Sequence, residues 1–189
     1  KEFAPDQFVL MATRNGIIKK TSLDHFSNPR KNGIRAILID EGDELIDARI
    51  TNGAQEVMLA TSQGYANHFH ENQVRPMGRS SRGVRGLRLA NNDRLVSMVA
   101  VHPSATLLTV TQNGYGKRSE IADYRLTKRG GKGIINLRAA AKTGDVVSVR
   151  EVNEDNDLMI ITREGIMIRI EMESIRVMGR NTQGVRVIN

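Results

Sequence analysis

The sequence contains no cysteine and no tryptophan, and only seven of its 189 residues are phenylalanine or tyrosine. Without cysteine the chain has no disulfide framework, no thiolate metal site and no cysteine nucleophile. This composition fits a reducing compartment. The few aromatic residues also leave little material for stacking against bases.

Long apolar runs are also missing, since Ala36–Ile39 and Leu158–Ile161 are typical of the longest ones. A membrane-spanning helix needs roughly 18 apolar residues, so we expect no membrane insertion. The first six residues, Lys1–Asp6, have neither an initiating Met nor the apolar core of a signal peptide. The sequence therefore predicts a piece excised from a longer protein.

Three markers recur along the chain in a fixed order, which is the sign of a repeat architecture. The first is an apolar run followed by Thr, two polar residues and Gly, and its glycines are 48, 50 and 51 residues apart: Leu10–Gly16, Met58–Gly64, Leu108–Gly114 and Met159–Gly165. The second has glycines 50, 50 and 51 residues apart: Gly33-Ile34-Arg35, Gly83-Val84-Arg85, Gly133-Ile134-Ile135 and Gly184-Val185-Arg186. The third, an Asp before an apolar strand, occurs three times, at Asp43, Asp93 and Asp145.

Each repeat has the pattern of short β-strands rich in Val, Ile, Leu and Thr, and short helical turns are compatible with the sequence near Leu23–Phe26 or Ile121–Tyr124. Asn15-Gly16 and Asn113-Gly114 predict two-residue hairpin turns, in which both residues take positive φ. A period of about 50 residues with four short strands is that of a propeller blade. A β-sandwich is the alternative, but it gives no reason for three markers to recur in one order.

We therefore predict an all-β, propeller-like fold of about four repeated four-stranded blades, forming a single repeat domain over residues 1–189. The predicted repeats are 8–55, 56–105, 106–156 and 157–189, and the last is incomplete because the sequence contains no fourth Asp-led strand. We expect the ring to be incomplete or closed unconventionally.

The formal net charge is +7, and its distribution is uneven. Four windows contain 16 of the 28 Lys and Arg residues and no Asp or Glu: residues 28–35, 75–89, 124–138 and 176–186. An even spread would place about five acidic residues there. Each window occupies the same part of its repeat, so radial stacking of the blades predicts a basic belt on one rim.

The belt has the composition of a surface for duplex DNA held through its phosphates. Tyr124 is the single aromatic residue in the four windows, which disfavours stacking of single-stranded bases, whereas Gly, Ser, Asn and Thr suit phosphate oxygens. Solvated basic loops would explain one window but not four in register. The candidate DNA-binding residues are Arg30, Lys31, Arg35, Arg79, Arg82, Arg85, Arg88, Lys128, Arg129, Lys132, Arg138, Arg180 and Arg186.

Other candidate sites are weaker. His68 and His70 lie two residues apart and could begin a metal site, but without cysteine we favour two surface imidazoles. The loop Lys128–Gly133 lacks the Lys-Ser/Thr pair of a nucleotide-binding loop and suits a DNA phosphate better. We predict no metal, no cofactor and no catalytic residue.

The motifs closely resemble the C-terminal domain of bacterial DNA gyrase A, of the type IIA topoisomerase family, over almost the whole chain. The resemblance rests on Gln112–Arg118, on Arg75–Arg79 with Arg82–Gly86, and on Val177–Val185. It implies a β-pinwheel, in which neighbouring blades exchange strands and a basic perimeter wraps duplex DNA. The expected partners are that DNA, the rest of gyrase A and gyrase B, in a chromosome-associated cytoplasmic enzyme whose catalytic tyrosine and ATPase lie outside the domain.

The chain departs from the family pattern in two respects. Such domains are expected to have more blades, usually six, and a Gln-Arg-Arg-Gly-Gly-Lys-Gly box near the start, whereas the nearest match here is Thr127–Gly133 in the third repeat. The corresponding domain of topoisomerase IV is the nearest alternative. A protein-interaction propeller without a DNA role is an alternative of another class.

Overall fold

The computed structural model describes residues 3–4 and 6–188; the predictions for residues 1, 2, 5 and 189 fall outside the described residues. The described chain is all β apart from short 3-10 turns at Leu23–Phe26, Glu71–Gln73, Ile121–Asp123 and Met172–Ser174. The strands are β1 (Phe8–Thr13), β2 (Ile17–Ser22), β3 (Leu45–Thr51), β4 (Glu56–Thr61), β5 (Tyr65–His70), β6 (Val84–Arg85), β7 (Leu95–Val101), β8 (Thr106–Thr111), β9 (Tyr115–Glu120), β10 (Ile134–Ile135), β11 (Val146–Val152), β12 (Asp157–Ile161), β13 (Met167–Glu171) and β14 (Val185–Arg186).

Within the described residues these strands form three four-stranded antiparallel sheets and one two-stranded sheet. Their orders are β3-β1-β2-β6, β7-β4-β5-β10, β11-β8-β9-β14 and β12-β13. The fourth strand of each complete sheet comes from the following repeat: β6, from the second repeat, pairs with β2 of the first. Strands β10 and β14 do the same one and two blades later. The expected all-β pinwheel with strand exchange is thereby confirmed.

The hairpin of each repeat explains the constant spacing of Thr and Gly in the first marker. In the second repeat the Thr61 carbonyl accepts a hydrogen bond from the Gly64 amide at 3.1 Å, and the Thr61 hydroxyl accepts one from the Tyr65 amide at 3.3 Å. The other three repeats make the same pair of bonds. The Thr closes the turn from both its backbone and its side chain.

The turn type predicted from Asn15-Gly16 and Asn113-Gly114 is wrong. Among the described non-glycine residues, Asn92 alone has positive φ, while Gly16 and Gly114 have φ of 81° and 76°. A three-residue loop, in which a tight turn is followed by a left-handed Gly, requires positive φ at the glycine only. This explains why Gln63 and Glu164 serve equally well before the glycine.

The first-marker glycine also receives the exchanged strand. A Cβ added at Gly64 would lie 2.1 Å from the Leu137 carbonyl oxygen, because the amides of Asn136 and Leu137 both bond to the Gly64 carbonyl. In the fourth repeat a Cβ at Gly165 would meet nothing within 4 Å, although φ is 83° there. The position therefore carries a steric requirement only where a strand from the next repeat arrives.

The second-marker glycine is the other side of this contact. A Cβ added at Gly133 would lie 2.5 Å from the Ala66 carbonyl oxygen of the preceding blade. Gly33, in the first repeat, has no neighbour within 4 Å, and residues 34–35 form no strand. The two glycine markers thus lie at the same contact, where a segment of one repeat packs onto the sheet of the repeat before it.

The third marker closes the other end of the hairpin loop. The Asp43 carboxylate accepts a hydrogen bond from the Asn15 amide at 2.9 Å, and the Asp93 carboxylate accepts one from the Gln63 amide at 3.0 Å. In the third repeat the Asn113 amide bonds instead to the Thr143 carbonyl at 3.1 Å. The strand that follows the marker, β3, β7 or β11, is thereby fixed to the hairpin of its repeat.

The hydrophobic core lies between neighbouring sheets. Along β4, Val57 and Leu59 face the first blade, while Met58 and Ala60 face the third. Because both faces are covered, this central strand is a continuous apolar run. In β12 half-buried and exposed residues alternate, with Met159 and Ile161 exposed, because one face of that sheet has no neighbour among the described residues.

A polar side chain at the third position of each receiving strand holds the incoming loop. Lys19 donates from Nζ to the carbonyls of Ala36 at 2.7 Å and Arg79 at 2.6 Å. Lys117 donates to the carbonyls of Gly179 at 2.9 Å and Arg180 at 2.6 Å. In the second blade Asn67 takes this place, with bonds of 3.3 and 3.2 Å to the Gly86 and Lys128 carbonyls.

Burial of these two ammonium groups disfavours their charged form. It lowers the pKa of Lys19 and of Lys117 to about 8, with the guanidinium groups of Arg79 and Arg180 acting in the same direction. Carbonyl contacts replace the lost hydration, but neither lysine forms an ion pair within the described chain. In the first and third blades the incoming segment therefore rests on a buried, desolvated ammonium group.

No helix in residues 3–4 and 6–188 is long and apolar enough to cross a membrane.

We expect Gly64→Ala to destabilise the domain far more than Gly165→Ala. Both changes place a side chain at positive φ, which costs roughly 1–2 kcal/mol, but only the first pushes a methyl group into the exchanged strand, for about 1–3 kcal/mol more. Urea unfolding monitored by circular dichroism measures both. Equal losses would show that the exchange imposes no steric demand at this turn.

Lys117→Asn tests the buried ammonium group, because Asn67 already occupies the equivalent place in the second blade. Between pH 8 and 10.5 the unfolded state binds more protons at Lys117 than the folded state does, so this residue makes stability rise with pH. We expect wild type to gain stability relative to the variant between about pH 7 and pH 9.5. A difference that is constant or falls with pH would contradict the lowered pKa.

Candidate nucleic-acid interface

The four acid-free windows lie where the chain passes between blades. Strands β6, β10 and β14 belong to the second, third and fourth windows, and each is the strand farthest from β3, β7 or β11 in its sheet. The strands β3, β7 and β11 pack beside one another at the inner side. The windows therefore occupy the outer edge, and we call residues 28–35, 75–89, 124–138 and 176–186 the perimeter belt.

Backbone hydrogen bonds join successive segments of the belt. The Arg88 amide donates to the Gly131 carbonyl at 2.8 Å, and the Arg138 amide donates to the Thr182 carbonyl at 3.0 Å. The Leu38 amide, just beyond the first window, bonds to the Ser81 carbonyl at 3.1 Å. Backbone hydrogen bonds thus connect the segments at all three junctions, the first of them through a residue just beyond the window.

Most of the predicted binding residues face solvent. Ten of the thirteen are exposed: Arg30, Lys31, Arg35, Arg82, Arg85, Arg88, Lys128, Lys132, Arg138 and Arg186. Arg82 forms a surface ion pair with Asp40, which lies outside the windows. Such an exposed pair is worth roughly 0–1 kcal/mol and leaves the guanidinium available to a phosphate.

The other three, Arg79, Arg129 and Arg180, are half-buried and are used differently. Each donates from its guanidinium to a backbone carbonyl of the preceding repeat: Arg35 at 3.5 Å, Arg85 at 2.9 Å and Ile135 at 2.9 Å, respectively. They join neighbouring belt segments to each other.

A further column of exposed arginines belongs to the belt but not to the predicted set. Arg75, Arg125 and Arg176 each begin or nearly begin a window and are all exposed. Their spacing of 50 and 51 residues is the signal that marks them in the sequence. Arg125 lines an open cavity of about 350 Å³ together with Lys128, Lys132 and the glycine-rich loop, which brings three cations around one concavity.

The aromatic side chain accessible beside the belt is Tyr65, not Tyr124 of the third window. Tyr124 is buried, its hydroxyl donates to the Asn136 side chain, and burial raises its pKa above the ordinary value. It therefore offers nothing to a ligand. Tyr65, outside the windows, is exposed and lines a cavity of about 260 Å³ with Arg88 and Lys132. Folding places it beside the belt, although it is distant from these residues in the sequence.

The expectation of two surface imidazoles is wrong for His68. Its ring is buried, with Nδ1 2.8 Å from the Tyr124 carbonyl and Nε2 2.9 Å from the Glu56 carboxylate. The ring takes the place that Lys20 has in the first blade and Arg118 in the third. No group of three or more His, Asp or Glu residues in the described chain could hold a metal ion.

The sequence was compared with known protein families and proteins, and it matches one family. A family model described as the DNA gyrase C-terminal domain, beta-propeller, matches residues 7–52, 55–102, 105–153 and 156–189. The DNA gyrase A protein of Halalkalibacterium halodurans is 58% identical over 188 residues, which is 100% of this chain and 23% of the relative. The chain thus spans about a quarter of the length of the curated relatives it matches.

Two solved structures have the same fold. One, the C-terminal domain of DNA topoisomerase IV, has a TM-score of 0.95 at 26% identity and covers 100% of this chain and 59% of that one. The other, the DNA gyrase A C-terminal domain, has a TM-score of 0.89 at 27% identity and covers 100% of this chain and 63% of that one. Since the family model matches nearly the whole chain, the protein belongs to the DNA gyrase C-terminal domain family.

Proposed function

We propose that the chain binds duplex DNA along the perimeter belt, mainly through the phosphates. The observation that carries the proposal is the continuity of the belt: acid-free segments from four repeats are joined edge to edge, and ten predicted cations face solvent. Phosphate contacts from Arg, Lys and backbone amides position a protein on DNA without reading its sequence. Binding should accordingly be largely independent of sequence.

The belt also supports a bend in the bound DNA, because its segments follow successive blades. Non-specific contacts of this type give a Kd of about 10⁻⁴ to 10⁻⁶ M, or roughly 5–8 kcal/mol. Bending 20–30 base pairs by 40–90° costs on the order of 1–6 kcal/mol. The two quantities are comparable, so a moderate bend is accessible and a tight full turn is not.

In the whole enzyme we assign this piece a non-catalytic role. It would present a DNA segment to the rest of gyrase A and to gyrase B, for ATP-dependent strand passage and negative supercoiling on the chromosome in the cytoplasm. Tyr65, Tyr115 and Tyr124 are not nucleophiles in this proposal. Tyr124 in particular is buried, and its hydroxyl donates a hydrogen bond within the core.

The corresponding domain of topoisomerase IV is the second candidate, and the TM-score of 0.95 to such a domain favours it. Sequence similarity favours gyrase, because the family model and the relatives at 58% and 46% identity are those of gyrase. The identities to the two solved structures, 27% for gyrase A and 26% for topoisomerase IV, do not separate the candidates. A protein-interaction propeller without a DNA role is the third candidate, and a salt titration of duplex binding separates it from the other two.

Neutralising belt residues should reduce the salt dependence of DNA binding. If about six to eight phosphates are contacted, log K against log salt should have a slope of about −5 to −7. Arg85→Gln with Arg88→Gln removes two exposed belt cations, so the slope should become about 1.8 units shallower. Fluorescence anisotropy with a duplex of about 30 base pairs, or about three helical turns, measures it.

Arg49→Gln with Arg150→Gln is the matched control, since both residues are exposed on the inner strands β3 and β11 and remove the same charge. The control should leave the slope nearly unchanged. Equal slopes in both double variants would mean that net charge, and not the belt, binds DNA. A wild-type slope near zero would favour the protein-interaction candidate.

We expect the isolated chain to bend DNA moderately, and more strongly at low salt, without constraining a full superhelical turn. The physical reason is the near balance between binding and bending energies. Relaxation and religation of plasmid with increasing protein, followed by topoisomer analysis, measures the constrained writhe. A large positive writhe per bound molecule would show that this piece wraps DNA by itself.

A further inference from the structure

We propose that Arg79, Arg129 and Arg180 are positioning residues, which set the spacing between neighbouring segments of the perimeter belt and thereby the curvature of bound DNA. They differ in this from the exposed belt cations, which determine affinity. The inference rests on the proposed function, because curvature matters only if the belt holds DNA.

The three arginines are structurally equivalent. Each lies four residues before a second-marker glycine, Gly83, Gly133 or Gly184. Each donates to the carbonyl of the residue that ends the second marker of the preceding repeat. One type of link therefore occurs at all three junctions between belt segments, and every link joins a segment to the one before it.

Arg129 makes the most extensive link. Its Nε donates to the Gln73 carbonyl at 2.9 Å and its Nη1 to the Arg85 carbonyl at 2.9 Å. Its backbone amide donates to the Gln73 side-chain oxygen at 2.9 Å, and the Gln73 amide group donates to the Thr127 carbonyl at 3.2 Å. The third belt segment is thus tied to the second repeat at two separate points, Arg85 within the belt and Gln73 just before it.

The backbone at two of these residues is also held, by a lysine of the receiving strand. The Arg79 carbonyl accepts from Lys19 Nζ, and the Arg180 carbonyl accepts from Lys117 Nζ, each at 2.6 Å. The residue is therefore fixed to the sheet that receives its exchanged strand, while its guanidinium is fixed to the preceding belt segment. With both its backbone and its guanidinium fixed to the preceding repeat, the residue sets the distance between its own belt segment and the one before it.

This distance bears on DNA shape. Exposed Arg85 and Arg88 lie on one side of the Arg129 link, and Lys128 and Lys132 lie on the other. DNA bends according to where its phosphates are held, so the separation of the two cation groups decides the bend. The Arg129 guanidinium reaches its two carbonyls through two separate atoms of a rigid fork, Nε and Nη1, whereas a lysine at this position would bring one nitrogen on a flexible stem and would not reproduce both contacts.

Arg129→Lys tests the proposal because it keeps the charge and removes the fork. Arg150→Lys is the control, since Arg150 lies outside the belt on the inner strand β11, and its exposed side chain makes no hydrogen bond or ion pair within the described residues. The readouts are the affinity and salt slope for a short duplex, the melting temperature, and the rate of ligase-catalysed cyclisation of a DNA fragment of about 150 base pairs, one persistence length.

For Arg129→Lys we expect cyclisation to slow at least about threefold. Kd should change less than about twofold and the salt slope should stay the same, because the exposed cations that contact phosphates all remain. The control should match wild type in every readout. Gln73→Met, which changes no charge and removes the other half of the link, should also slow cyclisation. It keeps the test informative if Arg129→Lys folds poorly.

Three results would overturn the inference. A lower melting temperature with wild-type cyclisation would make the arginine link only structural. A salt slope about 0.9 units shallower for Arg129→Gln would identify the guanidinium as a phosphate ligand. A wild-type protein that neither binds nor bends DNA would remove the proposed function as well, whereas the first two results leave it intact.

Discussion

The exchange of a two-residue strand between neighbouring repeats is the constraint on which the rest of this structure depends. It requires close approach of two backbones, and both glycine markers lie at this contact. The incoming residues Gly133 and Leu137 approach Ala66 and Gly64 so closely that a Cβ would overlap a carbonyl oxygen at two places. At Gly33 and Gly165, where no exchange occurs among the described residues, a Cβ added at the glycine would have no neighbour within 4 Å.

The exchange also explains why polar side chains are buried near the perimeter. A segment that crosses from one blade to the next leaves backbone carbonyls that no strand pairs, and an unpaired buried carbonyl costs about 1–3 kcal/mol. Lys19, Asn67 and Lys117 satisfy these groups from the receiving strand. The lowered pKa of the two lysines is the physical cost of using an ammonium group where Asn67 uses a neutral amide.

Much of this architecture could be predicted from the sequence, because its strongest signals are periodic. The first strands of the repeats begin at Phe8, Glu56, Thr106 and Asp157, at the places where the repeat pattern begins. Strand exchange came only from the family resemblance, since a Gly-Val-Arg triplet carries no sign of the sheet it joins. The predicted turn type was wrong because the Asn-Gly pair is typical of a two-residue turn. The Thr that precedes the pair, and that every repeat shares, instead closes a three-residue loop through its hydroxyl. The candidate site was predictable at the level of segments but not of side chains, because nothing local separates Arg129, which binds carbonyls, from Lys128, which faces solvent.

In the second, third and fourth windows the exchanged strand lies within a proposed DNA-binding segment, and this overlap couples two equilibria. A ligand that binds the belt only when β6, β10 and β14 are docked stabilises the docked state by RT ln(1 + [L]/Kd). Each exchanged strand contributes only two residues to its sheet, so its own pairing is modest and such a contribution is large beside it. The arginine and lysine links at the junctions add to the same docked state from within. The belt is therefore both the surface that would hold DNA and the connection that holds the blades together, and strain applied to bound DNA would act directly on the contacts between blades.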